Sequence, residues 1–288
     1  MNVIKLLREK YYVVSTDINE YSEGFLLSDK YYVVPPAVRK EEFINELESI
    51  VEEENIDYVI PTVDEEIEVL TSYNIKYREK FILHPKETVS IALNKLKTYD
   101  FLKNKIPEII PEYSIDPNNV KSDIVVKKPI KGRGSRDISI GKKNDFKREE
   151  GYFFVEYLPG NEWTVDAISD KNGQLVIAVP RIRLKTRCGI SVIGKIVMNK
   201  KIISYVEEIV NNLKLTGSFN IQFKEDKNKE AKLQEINIRF SGGLDITAAA
   251  GVNLPEILLE VWKKGKLEKK LSIKEGTYVK ISHAYFWK

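Results

Sequence analysis

Glu235 and Asn237 stand two residues apart in a stretch that reads Lys-Leu-Gln-Glu-Ile-Asn-Ile-Arg-Phe-Ser-Gly-Gly over 232–243. Leu233, Ile236 and Ile238 sit among polar neighbours there in a strand-like pattern, and period two puts Glu235 and Asn237 on one face. A carboxylate and an amide oxygen together are hard ligands suited to Mg²⁺, which fills its remaining positions with water and phosphate oxygens. Arg239 adds a planar fork of donors for phosphate or carboxylate. Residues 217–223 and the charged turn 224–230 read as the other arm of a hairpin, which brings Gln222 beside Glu235. The alternative for all four is the solvated face of an ordinary hairpin.

Further groups upstream have chemistry to offer. The spacing predicts a helix over 85–104 that carries Lys95, a phosphate-binding candidate or a solvated lysine. A strand over 123–129 contains Lys127 and runs into Ile130-Lys-Gly132-Arg-Gly134-Ser135-Arg136. Glycines let backbone amides approach an anion, so the segment reads as a phosphate loop or as a basic hairpin turn. It lacks the Gly-Lys-Ser/Thr of a Walker loop. Arg181, Arg183 and Arg187, close to Gly189, suggest anion recognition or a merely soluble loop. Asp64 and Glu66 open a helix after a strand end, a position used both for ligands and for capping.

These groups must be held by elements of two kinds. Over 1–84, helical patterns at 1–10, 43–50 and 64–70 alternate with β-rich runs at 11–16 and 58–60, which implies a parallel sheet with crossover helices. The segment opens on a helix, where a doubly wound domain normally has a strand and a Gly-rich turn. Beyond residue 120 the pattern changes to strands and hairpins, one of them across Asn172-Gly173. The 46 Lys and Arg nearly balance 43 Asp and Glu in 288 residues, so nucleic acid is not an expected partner. A single cysteine, Cys188, excludes an intrachain disulfide framework, and two distant histidines argue against zinc. No apolar run approaches spanning length and no signal peptide is evident, so a cytoplasmic protein without a membrane partner is expected.

Taken in order, Lys95, the Lys127 strand with its Gly-Arg-Gly-Ser loop, Glu156-Tyr-Leu-Pro-Gly-Asn-Glu162, Asn220-Ile-Gln222-Phe and Glu235-Ile-Asn237-Ile-Arg239 resemble the ATP-grasp superfamily. More narrowly, they are similar to the carbamoyl-phosphate-synthase-like branch of ATP-dependent carboxylate–amine ligases. The resemblance implies an α/β ATP-grasp fold. An incomplete Rossmann-like domain at 1–84 would precede a helical linker and lid subdomain at 85–158 and a subdomain with the metal site at 159–288, the last two sandwiching ATP. It implies that Lys95 and Lys127 hold ATP phosphates under the loop of Gly132, Gly134 and Ser135. It further implies that Glu156, Tyr157 and Leu158 read adenine, that Glu162 holds ribose, and that Gln222, Glu235 and Asn237 ligate Mg²⁺, or Mn²⁺ in its place. Arg239, with Lys127, would face the transferred phosphoryl group. The implied reaction activates a small-molecule carboxylate as an acyl phosphate and joins it to an amine, with Asp64, Glu66, Arg181, Arg183 and Arg187 as substrate candidates. Two departures stand out: Ile238 where proline is usual, and Asp137 where glycine is common. A non-catalytic nucleotide sensor and a ligase with a peptide acceptor are the alternatives, and an unpaired sheet edge would favour a homo-oligomer.

Overall fold

The computed structural model describes residues 1–132 and 137–281. Its first region begins with helix α1 (Asn2–Leu7), followed by β1 (Val14–Asp17) and β2 (Lys30–Val33), which pair in parallel. Helices α2 (Lys40–Glu53) and α3 (Asp64–Ser72) follow. The strand expected at 58–60 is reduced to a single parallel bridge between Val59 and Phe81, with Pro61 ending the run.

The helix expected over 85–104 is two helices, α4 (Lys86–Ala92) and α5 (Lys95–Leu102). Asn94 makes the break: its backbone is extended, and its side chain accepts the Lys97 N–H at 2.9 Å, so it caps α5 rather than continuing α4. Lys95 thereby becomes the first residue of a helix, with its backbone N–H donating to Ile130 O at 3.0 Å.

Two antiparallel sheets follow. The smaller has the order β3-β6-β4-β5, formed by β3 (Tyr113–Ser114), β4 (Ile124–Pro129), β5 (Ser139–Lys142) and β6 (Tyr152–Glu156). The larger contains β7 (Glu162–Ser169), β8 (Leu175–Arg187), β9 (Ile190–Ile196), β10 (Gly217–Glu225), β11 (Ala231–Asn237) and β12 (Gly276–Val279). Its order is β11-β10-β7-β8-β9-β12. Helix α6 (Lys200–Leu213) carries Ile202, Val206, Ile209, Val210 and Leu213 at helical spacing and packs them in one core with Trp163, Val165, Phe219 and Ile221. Helices α7 (Leu244–Ala249) and α8 (Leu254–Lys264) belong to a second core with Ile168 and Val179. Alternation thus gives the odd residues of β7 to α6, and leaves Glu162, Thr164 and Asp166 on the other face. Among the described residues no helix is long and apolar enough to cross a membrane.

Candidate functional site

On that second face Ile168 and Val179 pack with α7 and α8, and a polar row lies beside them. Thr164 pairs in register with Arg181 and Gln222, Asp166 with Asn220, Asn220 with Asn237, and Gln222 with Glu235. A cleft of about 400 Å³ is walled by Glu162, Gln222, Lys224, Gln234 and Glu235 of this sheet and by the smaller sheet. Val126, Ile138, Ile140 and Leu158 supply its apolar side, while Lys95, Lys128, Lys224, Glu156, Glu162 and Glu235 supply charge.

Glu235 faces the cleft, with Asn237 on the same side of the strand, while Leu233 packs inward, because β11 is irregular. Gln222 opposes Glu235, but the next pair is Phe223 with Leu233, so Gln234 is an extra residue, a β-bulge. Leu233 and Ile236, three apart, are both buried in consequence, and the carboxylate is turned toward the cleft. The buried Tyr99 hydroxyl donates to the bulge carbonyls, Leu233 O at 2.8 Å and Gln234 O at 3.2 Å. Burial pushes the Tyr99 phenol well above its usual value. Neither the bulge nor Tyr99 is visible in the strand pattern alone, although an apolar spacing of three inside a strand is the signal that betrays it.

Lysine placement departs from expectation. Lys127 lies on the outer face of β4, paired with Glu149 and 4.1 Å from the centroid of the Tyr152 ring. Lys128, one residue on and hence on the opposite face, points into the cleft and donates to Gln234 Oε1 at 2.6 Å. Burial, helped by the nearby Lys95 charge and opposed by Glu235, pulls Lys128 down to about 8. Lys95 lies where expected: its ammonium donates to Gly132 O at 2.7 Å and stands 3.8 Å from Glu235 Oε2. Gly132 also lines the cleft, whereas Gly134 and Ser135 lie outside the described residues. Asp137, after them, has φ +57°, the left-handed region that glycine adopts without strain.

Glu156, Tyr157 and Leu158 line the cleft at the end of β6, with Glu156 Oε1 accepting the Glu112 N–H at 2.8 Å and Tyr157 N–H donating to Ile124 O at 3.1 Å. Glu162 lies opposite them and pairs with Arg183, which also donates to Gln222 Oε1 at 3.1 Å. Asn237 donates to Glu235 Oε1 at 3.2 Å and accepts from Arg239 Nη2 at 3.4 Å.

The arginines do not form one cluster. Arg181 is 1% exposed and bonds Asp166 at 3.1 Å, Gly243 O at 3.1 Å and Thr247 at 3.2 Å, so it is an internal tie between β8, β7 and α7 and cannot reach a substrate. Gly194 and Gly243 make its slot: a Cβ on either would fall within 2.7 Å of the guanidinium or its stem. Arg187 is exposed at the end of β8, outside the cleft lining. Only Arg183 meets the candidate residues.

A smaller chamber of about 200 Å³ shares Lys95, Gly132 and Glu235 with the main cleft and extends to Asp64, Glu65 and Glu68 on α3. Asp64 holds Arg239, with Oδ1 at 3.1 Å from Nε. Glu66 is not part of this lining, because its neighbours Glu65 and Glu68 occupy the face of α3 turned to the chamber.

Behind the site, His84 is fully buried between the first region and the larger sheet. Its Nδ1 accepts the Thr216 N–H at 3.2 Å, which makes Nε2–H the donor to Ser218 O at 3.2 Å and Ile238 O at 3.1 Å. Burial lowers its pKa to about 4.

The donor set fits a magnesium nucleotide: one carboxylate and two amides present oxygen atoms beside two lysines. Among the described residues no three His, Cys, Asp or Glu are placed to hold a metal ion by themselves.

Residues 149–284 match the family model described as ATP-grasp in the biosynthetic pathway with Ter operon, and residues 1–82 match the PylC-like N-terminal domain. No curated protein sequence matches the chain. Among solved structures, the L-amino acid ligase of Bacillus licheniformis superposes with TM-score 0.68 at 14% identity, over 91% of this chain and 71% of that one. A biotin carboxylase from Campylobacter jejuni, in a β,γ-ATP complex, gives 0.73 at 15% identity, over 94% and 70%. The biotin carboxylase domain dimer of Hydrogenobacter thermophilus 2-oxoglutarate carboxylase, with MgADP, ADP and bicarbonate, gives 0.69 at 14% identity, over 93% and 68%. At such identities the likeness is one of fold. Together with the two family models, which follow one another in the order of the first region and the larger sheet, it identifies residues 149–284 as an ATP-grasp domain and residues 1–82 as a PylC-like N-terminal domain.

Proposed function

We propose that the protein is an ATP- and Mg²⁺-dependent carboxylate–amine ligase. The observation that carries this reading is the convergence of Lys95 on α5, Lys128 on the smaller sheet and Gln222 and Glu235 on the larger sheet on one cleft, with Asn237 in the chamber that shares Lys95 and Glu235 with it. In this reading Glu156, Tyr157 and Leu158 take the adenine, Glu162 takes the ribose hydroxyls, and Lys95 and Lys128 hold the phosphates. Glu235, Asn237 and Gln222 would hold Mg²⁺, with Mn²⁺ as a substitute; when bound, the ion neutralises charge on the phosphate oxygens. Three regions do this work: 1–84, the lid 85–158 and the metal-carrying 159–288.

A substrate carboxylate in the smaller chamber attacks the γ-phosphorus, the bond to ADP breaks, and an acyl phosphate forms. An amine then attacks the acyl carbon, phosphate leaves, and the ammonium proton passes to solvent. Arg239, oriented by Asp64, stands at the chamber's edge, where charge builds on the transferred group. Little covalent chemistry is asked of the chain; its part is positioning and charge neutralisation.

The test supplies Mg·ATP, hydroxylamine and a panel of amino acids and other small carboxylates. Hydroxylamine traps an acyl phosphate without the true amine. Hydroxamate together with ADP is the expected outcome and names the carboxylate class. ATP binding with neither product across the panel would move the reading to a nucleotide sensor.

A further inference from the structure

Arg183 makes three contacts that tie side chains of β7 and β10 to the tip between β8 and β9. Its Nη1 donates to both Glu162 Oε1 on β7 and Gln222 Oε1 on β10, and its Nη2 donates to Gly189 O, 2.5 Å away, in the tip between β8 and β9. The side chain is only 6% exposed. β8 lets it do this: Arg183 pairs with Gly194, and the register shifts immediately afterwards, before Lys185. A bulge so placed changes the direction of the strand at one residue.

We propose that Arg183 is a positioning residue that couples recognition of the nucleotide's sugar to binding of the metal ion. This rests on the nucleotide reading above. The carboxylate of Glu162 and the amide oxygen of Gln222 can each accept more than one hydrogen bond, so both keep acceptor capacity for a ligand while Arg183 holds them. One planar guanidinium fixes their spacing, and neither group can turn toward a ligand without moving the bond it shares with the other. A lysine, with a compact charge on a flexible stem, cannot reproduce that fork. The fixed positive charge beside Gln222 also opposes a bare cation there and is offset once an anionic nucleotide arrives. Metal and sugar therefore bind as one event.

The experiment measures by calorimetry the ratio of Kd for 2′-deoxyATP to Kd for ATP, in Mg²⁺ and in EDTA. In the unsubstituted protein the ratio is expected to be about fivefold larger with Mg²⁺ than without, the size of a typical coupling between linked sites. In Arg183→Met the ratio becomes the same in both conditions. Arg183→Lys, which keeps the charge and serves should the Met variant not fold, is expected to lose the dependence as well. A ratio indifferent to metal in the unsubstituted protein, or a dependence surviving both substitutions, overturns the coupling and leaves the ligase reading intact. Failure of the unsubstituted protein to bind ATP at all overturns both.

Discussion

Lys128 on the smaller sheet donates to Gln234 on the larger one across 2.6 Å, and this contact spans the cleft where a nucleotide's phosphates would lie. The lysine's low value, about 8, means that the empty site holds it only partly charged at mildly alkaline pH. Phosphate binding favours the ammonium and raises that value. Between the free and bound values binding takes up a proton, so the Kd for ATP should rise with pH from about 8 upward, by as much as tenfold per unit. Lys128→Met should weaken ATP about 10- to 100-fold, the worth of a charge-assisted hydrogen bond, and flatten the pH profile. Lys127→Met should change Kd by less than about threefold, since its partners are on the outer face. Titration calorimetry between pH 7 and 10 reads all three.

Glu235 is the sole carboxylate in the proposed metal set. Glu235→Ala should abolish Mg·ATP turnover while the melting temperature shifts by only a few degrees, because the side chain is partly exposed and its neighbours Ile236 and Leu233 carry the packing. ADP release in the variant at the rate of the unsubstituted protein would remove Glu235 from the metal set.

Tyr99→Phe leaves the ring in its place against Tyr113 and Phe153 but deprives the bulge carbonyls of their donor. An unsatisfied buried acceptor costs roughly 1–3 kcal/mol. Urea unfolding should show a loss of that size, and the bulge's altered geometry should lower kcat more than it raises KM for ATP. A variant as stable and as active as the parent would mean that the bulge holds itself.

His84 gives the fold an acid limit. The ring is buried neutral, with a folded value of about 4 against an ordinary 6.5, so the unfolded chain binds the extra proton first as pH falls. The contribution is fully present above about 6.5 and is lost progressively down to about 4, amounting to about 3 kcal/mol. Protonation would also set an N–H at Nδ1 against the Thr216 amide donor. His84→Gln should be less stable at pH 7 and lose less on acidification; denaturant midpoints at pH 7 and 4.5 test this by the difference between the two proteins.

Much of this arrangement is legible in residue order. The hairpin of Gln222 and Glu235 follows from two β-rich runs about a charged turn, and Lys95 from its place in the motif order ahead of the Lys127 strand. Part of what escaped is a shift by a single residue. Choosing Lys127 over Lys128 is a choice between the two faces of β4, and both lysines have polar neighbours that leave the pattern undecided. Arg181, Arg183 and Arg187 look alike in sequence, yet one is buried in an ion pair, one bridges the site and one is in solvent. Only the register with β7 and β9, a long-range property, separates them. Asn94, which divides the predicted long helix, was open to reading as a cap because its backbone-mimicking side chain favours that role.

The extra residue at Gln234 lets one strand bury both Leu233 and Ile236 and still turn Glu235 and Asn237 away from the core. Deleting Gln234 would give back a regular strand in which Leu233, Ile236 and Ile238 alternate with Glu235 and Asn237, so the facing would survive; what would go is the Lys128 acceptor and one of the two carbonyls under Tyr99. Length changes in the 226–230 turn leave the facing untouched. A directed library should therefore hold Gln234 for the contact it makes across the cleft rather than for the direction it gives its neighbours.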